Sequence, residues 1–105
     1  MIVDSYTVLK QIAQSVGTSA APLDDCPQED GMQMPDRVVL QALTSNSKSI
    51  FCKNANDVVI DGSTGGYELP PGGNIILPIS VYKDFYVIAA TAGQKLQLHF
   101  VGGMK

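Results

Sequence analysis

The residues of this chain that could do chemistry are few: one histidine, His99, two cysteines, Cys26 and Cys52, and a cluster of acids between positions 24 and 36. His99 alternates with Leu98 and Phe100 and shares its face with Lys95 and Gln97, so a surface position is expected for it. A Ser–His–Asp set needs a nucleophile raised on a sharp turn with a base beside it, and the chain spaces no such set. Nothing in the spacing pairs His99 with either thiol. The two cysteines fit no metal-type spacing and are expected as free thiols, Cys52 as a small core residue; a Cys26–Cys52 bridge is the lesser reading. Asp24, Asp25, Glu29, Asp30 and Asp36 could offer oxygens to a hard cation, but their order does not match a calcium loop and reads as a solvated acidic segment. The glycines of DGSTGG and PPGG open no helix and precede no Gly-Lys-Ser/Thr, so no phosphate cradle is indicated. Tyr67, Tyr82, Phe85 and Tyr86 could form a sugar-stacking platform, although aromatics in strands more often serve a core or an interface. No catalytic residue, metal or cofactor is expected.

The elements that must position these residues are β-strands. In residues 95–101 Leu96, Leu98 and Phe100 alternate with polar residues, and residues 85–90 (FYVIAA) read as a strand covered on both faces. The link Thr91-Ala92-Gly93 suits a hairpin between them, its glycine taking the left-handed conformation. Residues 37–43 (RVVLQAL) form a strand with Val38, Leu40 and Ala42 on one face. TSNS then turns, with Asn46 suited to a left-handed position, into a strand over 48–53, so that 37–53 reads as a second hairpin. Short strands follow at 57–60 and 67–69. Another runs over 74–81, with Ile75, Leu77, Ile79 and Val81 on one face and Pro78 marking an edge or a bulge. Pro22 places 18–23 at an edge as well. Residues 1–16 fit a helical stripe (Ile2, Tyr6, Leu9, Ala13, Val16) or a strand over 8–16, and the β-rich remainder favours the strand.

Seven to nine short strands without a clear helix predict an all-β fold, a compact antiparallel β-sandwich of jelly-roll type, in one domain. Residues 37–101 are its best-defined core, 1–6 a possible N-terminal arm and 24–36 a long exposed loop. Hydrophobic residues make up 45% of the 105 and charged residues 16%, below the roughly 25% usual for soluble proteins. So little charge implies that part of the surface is hidden against a partner. The formal net charge of −3, with seven scattered basic residues, excludes the basic stripe of a nucleic-acid binder. No apolar run approaches a membrane span, and the acid in MIVDSYTVLK argues against an export signal, so a reducing cytoplasm is the expected place of synthesis.

The order of these pieces resembles small β-sandwich virion proteins of tailed bacteriophages, the modules used as capsid cement or decoration. The resemblance runs through Gln41-Ala42, the Asn46 turn, residues 49–53, the step from Gly66 through Leu69 to Gly72, and the closing pair 85–90 and 95–101, with 16–23 as the first strands. It covers about residues 16–102, and its motifs are short and structural. Two departures stand out: Cys52-Lys53, where the family has a glycine and a local bulge, and the longer 24–36 segment. The resemblance implies a non-enzymatic structural protein on the outer capsid surface, made in the host cytoplasm. Its partners would be the major capsid protein and copies of itself, as a homotrimer. A tail or fibre accessory module binding carbohydrate or a host surface is the other role it allows. Terminal position and composition name the expected contact residues as Met1, Ile2, Val3 and Tyr6 in the arm, Met32, Met34 and Pro35 in the loop, and Met104 at the C-terminus.

Overall fold

The computed structural model describes residues 7–27, 34–61 and 63–102. Among these residues eight strands build two antiparallel four-stranded sheets: β1 (Thr7–Val16), β2 (Ala21–Pro22), β3 (Arg37–Ala42), β4 (Ile50–Lys53), β5 (Tyr67–Leu69), β6 (Asn74–Pro78), β7 (Tyr86–Ala89) and β8 (Gln94–Gly102). The strand orders are β1-β8-β3-β6 and β2-β7-β4-β5. β1 therefore pairs with β8, β2 with β7, β3 with β6 and β4 with β5. This is one long hairpin rolled over on itself, the jelly roll. The alternation in β3 and β8 explains the core directly: Val38, Leu40, Ala42, Leu96, Leu98 and Phe100 turn inward from one sheet and meet Ile50, Cys52, Val87 and Ala89 from the other.

Several expectations change. Residues 37–53 are not a hairpin, because β3 and β4 lie in opposite sheets, and the same is true of β7 and β8. Both links are arches that carry the chain across a sandwich whose layers stand only about 10 Å apart, a gap that a few turn residues span as readily as they reverse a hairpin. Gly93 does take a left-handed φ of 87°, but Asn46 does not. Instead its side chain pairs with the Lys95 backbone, accepting from the N–H at 2.8 Å and donating to the carbonyl at 2.9 Å. Strand β7 is covered on one face only, with Val87 and Ala89 inside and Tyr86 and Ile88 half-buried. Residues 57–60 are turn rather than strand, with the Lys53 ammonium 2.7 Å from the Asp57 carboxylate and Thr64 bonded to the Asp57 carbonyl.

The strand expected over 74–81 ends at Pro78, and Ile79–Tyr82 form a single helical turn, α1. This turn crosses from one sheet to the other and buries Tyr82. The prolines are where edge strands should have them: Pro22 in β2 and Pro78 in β6, each the outermost strand of its sheet. Residues 7–16 are strand, and the register of β4 against β5 and β7 is continuous, so Cys52-Lys53 makes no bulge. The step to Leu69 depends on Gly66: its φ is 114°, and a Cβ there would stand 2.7 Å from the Cys52 carbonyl oxygen.

Candidate functional site

Tyr82 organises one end of the sandwich. Its ring is 1% exposed and packs edge-on against Phe100, the centroids 5.4 Å apart at 74°. Its hydroxyl accepts from the Cys26 N–H at 2.9 Å and donates to the Asp24 carbonyl at 3.0 Å, which ties residues 24–26 to α1. Burial holds the phenol above its ordinary pKa of 10.0, so it keeps the proton it donates. Gln14, buried on β1, grips the same segment: its amide donates to the Pro22 carbonyl at 2.9 Å and accepts from the Asp24 N–H at 2.8 Å. A pair of clamps therefore fixes the start of the acidic segment.

Between this segment and α1 opens a groove of about 540 Å3, bounded by Asp25, Cys26, Met34, Pro35, Ile79, Ser80, Tyr82 and Lys83. Its walls are mainly apolar, with Asp25 and Lys83 at its margin. Met34 is 70% exposed, whereas Pro35 is buried. The ends of the described chain gather here. Thr7 pairs in register with Gly102, and a Cβ on Gly102 would come within 3.2 Å of Leu9 Cδ1 and of the Met34 carbonyl oxygen. Of the contact residues expected from sequence, Met34 and Pro35 lie in the groove wall; Met1, Ile2, Val3, Tyr6, Met32 and Met104 fall outside the described residues. The segments that carry them join the described chain at Thr7, next to Met34 and at Gly102, all at this end.

Elsewhere the chemistry-bearing residues stand apart. His99 is half-buried between two amides, with Nδ1 2.7 Å from Gln11 Nε2 and Nε2 3.2 Å from Gln41 Oε1. Gln11 can only donate through that nitrogen, so Nδ1 accepts and Nε2 carries the proton. Neither Cys26 nor Cys52 is in a disulfide, and burial pushes Cys52 up to about 11, which keeps it protonated and unreactive at neutral pH. Among the described residues no three His, Cys, Asp or Glu side chains gather to hold a metal ion.

The expected sugar platform divides: Tyr82 and Phe85 are buried, Tyr86 is half-buried, and Tyr67 alone is exposed, at 54%. Tyr67 stacks on Phe85, centroids 6.4 Å apart, beside a second open groove of about 610 Å3 that also touches Lys53, Asn54 and the residues of β6 from Ile75 to Pro78. Sequence reasoning singled out Tyr82 only for a sugar platform and missed its clamp, Gln14 and the short turn α1. The one available signal was the pattern Pro78-Ile79-x-x-Tyr82, a proline followed by two large apolar residues three apart. Compared with protein-family models, curated proteins and solved structures, the chain matches none.

Proposed function

We propose that this protein is a structural component of a tailed-phage virion, a cement or decoration protein that binds the major capsid protein on the outer surface of the head. The observation that carries the reading is the gathering of Met34, Pro35 and the junctions to residues 1–6, 28–33 and 103–105 around one mainly apolar groove. The jelly roll serves as a rigid stand for that end, and binding is interfacial. Apolar side chains exposed at the groove become buried against the shell, each contributing up to about 1.5–3 kcal/mol when fully covered, less the cost of immobilising the partners. Binding to the shell in this way does not require the trimer that the resemblance implies.

The test measures retention on purified particles. Met34→Asp and a chain lacking residues 1–6 are each expected to weaken retention roughly tenfold or more while the melting temperature of the free protein holds, since Met34 lies on the surface. Retention equal to that of the unaltered chain in both cases removes the proposal. The second reading, a carbohydrate-binding accessory module of a tail or fibre, is favoured by Tyr67 alone, an exposed ring beside Lys53 and Asn54 in an open groove. Glycan binding that Tyr67→Ala abolishes would favour it over the first.

A further inference from the structure

We propose that two copies of this chain associate through the outer edge of β6, the strands pairing antiparallel about a two-fold axis at Ile76, so that two four-stranded sheets continue as one of eight. The register assigns the free edge. The Ile79 N–H donates to the Asp36 carbonyl at 3.0 Å and the Ala42 N–H to the Gly73 carbonyl at 2.9 Å, so at both ends of the ladder the even-numbered positions of β3 bond to the odd-numbered positions of β6. Alternation then turns the peptide groups of Ile75 and Leu77 toward β3 and those of Asn74, Ile76 and Pro78 outward. Among the described residues no strand pairs with that outer side, and no hydrogen bond to the Asn74 or Ile76 peptide groups is formed there.

Two of the other three edges are blunted, and the third is interrupted. β2 has two residues and ends at Pro22, β5 has three and is stopped by Pro70-Pro71, and β1 carries a register shift between Val8 and Lys10. β6 is five residues, NIILP, without a charge, and Ile76 on its solvent face is 56% exposed.

The chemistry of that strand points to a second copy as the occupant. Two neutral strands bring no like charges together, and an isologous contact uses the same patch twice. With Ile76 on the axis, each Ile76 N–H reaches the other Ile76 carbonyl, and each Asn74 N–H reaches the carbonyl of the opposite Pro78. Pro78 has no N–H, so it leaves no orphaned donor, and it occupies the one kind of slot in β6 where a proline breaks no bond to β3. The two Ile76 side chains meet across the axis, with Tyr67 and the groove beside β6 extending the apolar contact.

This inference does not rest on the capsid reading, and its test uses the isolated full-length chain with no particle present. Sedimentation over low-micromolar to submillimolar concentrations is expected to show twice the 11.2 kDa chain mass at the upper end. Ile76→Lys places like charges at the axis, and Ile76→Pro removes an outward N–H while sparing the ladder to β3. Each is expected to weaken association roughly tenfold or more with the melting temperature preserved. Hydrogen exchange at the Ile76 amide is expected to slow as the concentration rises. A chain that stays monomeric throughout, one that forms trimers, or a dimer indifferent to both variants overturns the proposal.

Discussion

Cys52 shows how a single buried side chain ties the core to pH. Its thiol lies in the centre of β4, and desolvation raises its pKa from 9.0 to about 11. Below pH 9 the thiol is protonated in both folded and unfolded chains and the full stability is present. Between pH 9 and about 11 the unfolded chain loses the proton while the folded chain keeps it, so stability falls by about 1.4 kcal/mol per pH unit, on the order of 2–3 kcal/mol in all. Tyr82 is also raised and adds its own loss above pH 10, so the comparison must isolate the thiol. The unfolding free energy of the unaltered chain minus that of Cys52→Ala is expected to hold constant below pH 9 and to shrink from there to pH 11. A difference that stays flat across that window contradicts the account. Burial of Cys52 was legible from its place in KSIFCK. Tyr82 was not recognised as a clamp, because its partners, Asp24 and Cys26, lie 58 and 56 residues away.

At the scale of elements, the arch from β3 to β4 is held by residues of β8. Gln94 is buried and its side-chain oxygen accepts from the backbone N–H groups of Ser47 and Lys48 at 2.9 and 3.0 Å, while Asn46 pairs with Lys95. Gln94→Ala leaves two donors without their acceptor in a partly buried place, an expected loss of about 2–3 kcal/mol by urea denaturation, whereas a loss below half a kcal/mol would mean water replaces the glutamine freely. The same arch explains why two hairpins were expected and none of the two formed. TSNS and TAG carry the residues that any tight connection uses, and local chemistry does not say whether the next strand lies beside the last or across the core from it. Strand β6 is a milder case. Its alternation through Ile75 and Leu77 was visible, but the residues after Pro78 keep an apolar rhythm that a strand and a helical turn share over four positions.

For the whole molecule, the rolled hairpin sets the course of folding. Thr7 pairs with Gly102, so the outermost strands close almost the entire chain, and the inner pairs are nested within them. The entropy of closing long loops is met before the contacts they make, which predicts refolding in about milliseconds to seconds rather than microseconds. Stopped-flow refolding from urea checks this, and a microsecond phase carrying the full amplitude would contradict it. The same topology leaves two separate surfaces: the end of the sandwich, where the proposed shell contact lies, and the flank along β6, where the proposed two-fold contact lies. The first was partly legible, because composition and chain position singled out Met34 and Pro35. The second was not, since which strands end up outermost is a property of the assembled sheets.

What the sequence determined alone is the all-β class, the inward faces of β3 and β8, the edge position of Pro22 and a place for Pro78 at an edge or a bulge. Each follows from a two-residue side-chain period or from a missing N–H, and both act within a few residues. Only the tertiary structure decided that β3 and β4, and β7 and β8, face each other across the core, that Gln14 and Tyr82 clamp one segment, and that Ile76 stands on the outermost strand of its sheet. Those outcomes come from burying two apolar faces against one another at a fixed separation, a condition met by residues far apart in the chain and so written in no single stretch of it.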